Sequence, residues 1–128
     1  MGRDSRTQKE PEIYLQSFEL TKLILNSTSL FPKPRRYVLG KKLEERSLRF
    51  LLLLNRLVGP SGIRFHSSGE KLRVLEELSF LLDEFRVLLR MSRETGSYSA
   101  GQFKEFNERT LSIGKQIGGL MRSERTRK

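Results

Sequence analysis

The sequence predicts an all-α protein folded as an antiparallel up-down-up-down four-helix bundle. Three observations carry this expectation. Four segments place apolar residues at three- and four-residue steps. Breakers built from Pro, Gly and Ser separate them. No sustained alternating run and no hairpin turn pair exists to specify strands. Short connections between long amphipathic helices then make sequence neighbours antiparallel. The chain of 128 residues suits one domain and is long enough to bury a core without a metal or disulfide staple. It divides into a polar, flexible N-terminus (1–10), the bundle (11–122) and a basic C-terminal tail (123–128).

The first helix is predicted over residues 11–28. Pro11 suits a first helical turn, and Ile13, Phe18, Leu20, Leu23, Ile24 and Leu25 supply its apolar side. Phe31-Pro-Lys-Pro34 stops it, because each Pro lacks an N–H and restricts its neighbour. The second helix covers 35–58 and ends at Gly59-Pro60. At roughly 100° per residue, Leu39, Leu43, Phe50, Leu54, Leu57 and Val58 share one broad face. A loop over 61–65 follows. Ser67-Ser-Gly-Glu70 then has capping-box spacing and opens a third helix reaching Glu94, with a core stripe of Leu75, Leu78, Leu82, Phe85 and Leu89. Ser99-Ala-Gly-Gln102 repeats the capping spacing after a loop over 95–98. The fourth helix steps through Phe103, Phe106, Thr110, Ile113, Ile117 and Leu120. Gly114 and Gly118, four apart, suit a close helix approach.

Charge points outward from this core to a class of partner. Twenty-five Lys and Arg oppose 15 Asp and Glu, a net +10 that favours polyanions: nucleic acid, an anionic membrane face or an acidic protein. The excess is local. Residues 33–64 hold nine cations against only Glu44 and Glu45. On a straight helix Arg35, Lys42, Arg46, Arg49 and Arg56 fall within about 80° of one another, beside the core face. Glu45 stands one turn before Arg49, a favourable step; Arg35, Lys42 and Arg56 have no equally placed acid on that helix. Rows of uncompensated cations suit a phosphate backbone, since each neutralised phosphate releases counterions. The bland alternative is a solvated face whose Arg stems pack on neighbouring helices. Arg86, Arg90 and Arg93 form a weaker cluster on the third helix, within reach of Asp83 and Glu94.

A second set of apolar residues lies off the main faces: Leu48 and Leu52, with Tyr37 nearby, and Phe80, Val87 and Met91. One bundle needs one broad stripe per helix, so extra stripes suit burial against another subunit or partner; a wide bundle that wraps them internally is the alternative.

Signatures of catalysis are missing. The single His66 falls in a loop, no Glu-x-x-His pair exists, and no Cys offers a thiolate. No Gly-rich phosphate loop or nucleophile elbow is present. The reading is therefore a protein without enzymatic activity, catalytic residues, metal or cofactor. The N-terminus lacks the apolar core of a signal peptide. The longest apolar run, Phe50 to Leu54, is far short of the ~20 residues of a membrane span. The expected location is cytoplasmic, away from membranes.

The stretch Phe31-Pro-Lys-Pro-Arg-Arg-Tyr-Val-Leu-Gly-Lys-Lys-Leu-Glu44 resembles the FPK…R(Y/F)xLGxxIE signature of a bacterial four-helix-bundle superfamily, with Leu43 in place of Ile. That superfamily includes proteins encoded within 23S rRNA intervening sequences and the accessory variability determinant proteins of diversity-generating retroelements. Lys71-Leu-Arg-Val-Leu-Glu-Glu-Leu78, Val87-Leu-Leu-Arg-Met91 and Ile113-Gly-Lys-Gln-Ile-Gly-Gly-Leu120 favour the second branch. The resemblance spans roughly residues 11–122. Leu120 departs from it, standing where a Trp is common.

The resemblance implies a homopentamer of four-helix bundles with a basic surface. It implies partners too: a reverse transcriptase and its template RNA or DNA, in mutagenic retrohoming. By position, Arg35, Arg36, Lys42 and Arg46 fall in or just after the signature and Arg90 in the Leu-Leu-Arg block. With the helix-two stripe, the candidate nucleic-acid residues are Arg35, Arg36, Lys42, Arg46, Arg49, Arg56 and Arg90. The candidate oligomer contacts are Leu48, Leu52, Phe80, Val87 and Met91. The rival function is a helical protein–protein adaptor that does not touch nucleic acid.

Overall fold

The computed structural model describes residues 10–58 and 67–126. The expectations for the N-terminus, for the Gly59-Pro60 stop, the 61–65 loop and His66, and for the last two residues lie outside these. Four long helical rods make up the described chain, which contains no strand. They are α1 (Glu12–Thr28), α2 (built from Lys33–Arg35, a π-helical turn Arg36–Gly40, and Lys41–Val58), α3 (Ser68–Glu94) and α4 (Ala100–Arg125). The protein is an all-α four-helix bundle. Paired residues descend along one helix as they ascend its neighbour. Thr28 bonds Glu44 while Thr21 reaches Ser47, and Arg46 meets Glu84 while Arg49 meets Glu77.

α1 is more polar inside than its apolar residues suggested. Ile13, Leu20 and Ile24 are buried, but Ser17, Thr21, Ser27 and Thr28 share their face. The expected core residues Phe18 and Leu25 stand 45% and 37% exposed. Each sits one residue, hence about 100°, past a buried position. Most of the hydroxyls on this face bond locally: Thr21 Oγ1 donates to the Ser17 carbonyl at 2.8 Å and Ser27 Oγ to the Ile24 carbonyl at 2.9 Å, while Ser17 Oγ is buried without a partner among the described residues. Small side chains there let α2 lie close.

The α1–α2 corner differs from a simple proline stop. Ser29–Pro32 makes the break, closed by the Leu30 and Phe31 amides donating to the Ser27 and Thr28 carbonyls. Pro34 does not stop a helix; it lies in the first turn of α2, where its missing N–H costs nothing. α2 therefore begins earlier than read. The Lys41 amide then donates to the Arg36 carbonyl, an i→i−5 bond that makes the π turn. Gly40 ends that turn against α1. A Cβ there would stand 3.4 Å from Thr28 Cβ and 3.5 Å from Phe31 Cδ2. The close helix approach in this bundle is thus at Gly40. At Gly114 and Gly118 the nearest atoms to an added Cβ are side-chain tips, Leu82 Cδ1 at 3.9 Å and Arg122 Nη1 at 3.8 Å, so no backbone presses on either.

α3 and α4 follow the sequence closely. Ser67 Oγ accepts the Glu70 amide, and Ser99 with Gln102 forms a complete capping box. Leu75, Leu78, Leu82, Phe85 and Leu89 are buried as the stripe requires, joined by Leu81; from α4 come Phe106, Thr110, Ile113 and Ile117. Phe103 and Leu120 pack half-buried at the margin. The 95–98 loop adds one member to the core. Tyr98 is fully buried, edge-on to Phe31 at 4.8 Å and to Phe106 at 5.2 Å. α4 also runs past the expected end at residue 122. Arg125 remains helical and its guanidinium lies 3.8 Å from Glu76 on α3, which tethers what was read as tail.

Candidate nucleic-acid interface

The residues that carry the Phe31–Glu44 signature divide by direction. Phe31, Leu39, Gly40 and Leu43 are buried, and Glu44 accepts the Thr28 hydroxyl. Those positions hold α1 to α2. The residues between them, Lys33, Arg35, Arg36, Lys41 and Lys42, are all exposed. None makes an ion pair among the described residues. Tyr37 and Val38 stand among them at 67% and 64% exposure, with Leu30 beside the corner. The π turn spreads these cations. Its extra residue rotates Arg35 by about 100° away from the azimuth it would share with Lys42 on an uninterrupted helix. The result is a basic knob around the first turns of α2 rather than a straight stripe.

Further along α2 the structure changes the reading. Arg46 Nε lies 2.9 Å from Glu84 Oε1, and Arg49 Nη2 bonds Glu77 Oε2, so both guanidiniums are neutralised by α3. Glu45, expected to serve Arg49 from one turn before, is displaced by Glu77 because α3 brings that carboxylate across the helix contact. Arg90 is paired as well, with Glu94 one turn on at 3.0 Å. Arg56 is exposed and unpaired among the described residues, 14 positions or about 20 Å along the helix from Lys42. Of the seven candidate residues the structure therefore gathers Arg35, Arg36 and Lys42 into one free cationic region. It sets Arg56 apart and commits Arg46, Arg49 and Arg90 to carboxylates.

Lys41 completes the knob and was missed in the sequence. The signal was available as the Lys-Lys pair following Gly40, but a straight-helix wheel turned it away from the stripe. Arg86, of the weaker α3 cluster, lines an open groove between α3 and α4 together with Lys115 and Arg122. Neither of the latter two was legible as a partner of Arg86 before the α3–α4 pairing was known.

The five apolar residues set apart in sequence are exposed: Leu48 and Leu52 on α2, Phe80, Val87 and Met91 on α3. Leu48 lies between Arg46 and Arg49, and Phe80 between Glu77 and Glu84, so the two ion pairs bring both to the same level of the bundle. Among the described residues no helix is long and apolar enough to cross a membrane. Compared with protein-family models, curated proteins and solved structures, the chain finds no match.

Proposed function

We propose that this protein is a non-catalytic accessory factor that binds nucleic acid through the first turns of α2, and that it serves a retroelement reverse transcriptase on its template RNA. One observation supports the binding half above others: Lys33, Arg35, Arg36, Lys41 and Lys42 are all exposed around the first turns of α2, with no carboxylate paired to any of them among the described residues. Tyr37 adds a ring on which an unstacked base can lie. The enzyme partner and the role in mutagenic retrohoming come from the resemblance carried by the Phe31–Glu44 segment, and the cytoplasmic setting from the polar N-terminus and the short apolar runs.

Binding to fluorescently labelled single-stranded RNA, titrated from low to physiological salt, tests the first half. Each phosphate engaged contributes about −0.7 to the slope of log K against log salt. Arg35→Glu with Arg36→Glu should weaken binding at least tenfold and flatten the slope, with helicity and particle mass unchanged. An unaltered, salt-insensitive affinity would end the proposal. A reverse transcriptase reading frame beside the gene, and co-purification of its product with the unaltered chain but not with an Arg35→Glu/Arg36→Glu variant, tests the second half.

A second reading is favoured by the exposed Leu48, Leu52, Phe80, Val87 and Met91. These suit a protein contact, either between copies in a ring such as the pentamer the resemblance implies or with a different protein. A protein-only adaptor would bind no generic RNA at physiological salt.

A further inference from the structure

The groove between α3 and α4 has a volume of about 630 Å³ and is lined by three cations and one carboxylate. Arg86 enters it from α3, and Lys115 and Arg122 from α4, against the single carboxylate of Asp83. None of the three cations makes an ion pair among the described residues, although surface cations elsewhere on α3 and α4, such as Arg90, Lys104 and Arg109, do. The glycines of α4 explain the depth. Gly114 and Gly118 leave the floor without side chains, and the Arg122 guanidinium folds back across Gly118 and Gly119, with its Nη atoms 3.8 Å from where each Cβ would stand. Leu111, 40% exposed, gives one apolar wall.

From this arrangement we infer that the α3–α4 groove binds a nucleotide. Its phosphates would be neutralised by Arg86, Lys115 and Arg122, and its sugar and base would lie over Leu111 and the glycine floor. Guanidiniums fork onto phosphate oxygens and are weakly hydrated, so they bind phosphate with little desolvation cost. Asp83, which would repel a bare polyphosphate, accepts hydrogen bonds from ribose hydroxyls or a base amino group. A volume of this size holds a nucleotide rather than a lone ion. The groove is built from helices that do not contribute to the α2 knob, so it does not depend on the proposed function.

A nucleotide has two sources, free in solution or within a strand, and one experiment separates them. Calorimetry measures binding of adenosine triphosphate, inorganic tripolyphosphate and a ten-residue oligoadenylate to the full chain. The variants are Arg86→Gln/Lys115→Gln/Arg122→Gln and, leaving the cations in place, Leu111→Glu. A tenfold or greater loss of adenosine triphosphate binding in both variants supports the inference with a free nucleotide. The same loss for oligoadenylate, with no triphosphate binding to the unaltered chain, supports it with a nucleotide of a strand. Unchanged affinities in a folded variant overturn it. Tripolyphosphate displacing the triphosphate at equal concentration overturns it too, since the apolar wall and Asp83 would then contribute nothing. Arg35→Glu/Arg36→Glu should leave triphosphate binding intact, so failure of the α2 reading and failure of this one are read separately.

Discussion

Replacing Tyr98 with Phe should cost about 1 kcal/mol at neutral pH and reverse sign in alkali. The hydroxyl is buried and lies 2.7 Å from Ser27 Oγ. Ser27 keeps its own bond to the Ile24 carbonyl when that hydroxyl is removed, so no donor is stranded and the loss is about 0.5–1.5 kcal/mol. Both ring contacts survive in Phe. Burial, opposed by the Ser27 hydrogen bond and aided by the Glu44 carboxylate, pushes the Tyr98 phenol up to about 12 from its ordinary value of 10.0. The folded state therefore favours the protonated phenol. That contribution is complete below pH 10, the unfolded value, and is lost as pH rises to about 12. Two units correspond to about 2.7 kcal/mol. The advantage of Tyr over Phe should shrink from about 1 kcal/mol at pH 7 to nothing between about pH 10.5 and 11, and become a deficit of about 1.3 kcal/mol at pH 12, where the folded phenol is half ionised. Urea unfolding followed by circular dichroism at each pH measures this difference directly, because titrations shared by both proteins cancel. A Tyr–Phe difference that stays constant between pH 9 and pH 12 would refute the reasoning, as would a Phe variant more stable at pH 7.

Gly114→Ala and Gly118→Ala should each stabilise the bundle by about 0.5–1 kcal/mol, read as higher urea midpoints. Each lies in the interior of α4, and an added methyl meets only a side-chain tip at 3.9 Å or 3.8 Å. Leu52→Glu with Phe80→Glu should leave helicity unchanged, since both side chains are more than half exposed, and should lower particle mass in light scattering where these residues join subunits.

The periodicity of leucines and phenylalanines made α3 and most of α4 legible because those helices bury conventional apolar stripes, and their Ser caps stand at recognisable spacing. α1 resisted because its buried face is half hydroxyl. Ser17, Thr21, Ser27 and Thr28 read as surface in a hydropathy pattern, and the suitability of the last three for the core lies in bonds to the preceding turn that no pattern displays. The π turn resisted for a similar reason. It answers the packing of Gly40 on Thr28 and Phe31, a tertiary contact. Tyr98 lies in the loop its Gly and Ser neighbours predict, but its burial depends on the corner at Phe31 and on Ser27, far away in sequence, and no local pattern shows it. For the candidate interface, cation positions were legible but their pairing was not. Glu77 and Glu84 lie 28 and 38 residues from Arg49 and Arg46, and only the α2–α3 contact decides which guanidiniums they neutralise.

That pairing governs how the basic surface can act. A phosphate approaching Arg49 must displace Glu77, and the freed carboxylate then remains beside the strand as a repulsive charge. The ion pair itself is worth little, since both side chains are 44–60% exposed and such pairs contribute about 0–1 kcal/mol. Its effect on an anion is nevertheless larger, because it replaces an attractive site by a neutral one. The Arg46–Glu84 pair, less exposed, behaves likewise. The middle of α2 is thus electrostatically quiet, whereas the cations around Lys33–Lys42 stand without a paired carboxylate among the described residues and those of the α3–α4 groove face only Asp83. Between those regions, at the level of the two ion pairs, Leu48 and Phe80 are exposed. A quiet surface carrying exposed apolar residues suits a protein contact, because neutralised arginines are cheaper to desolvate than free ones. The ion pairs thereby divide one helix in two: a charged start, where the proposed polyanion site lies, and a neutralised middle whose exposed apolar residues can be covered by protein.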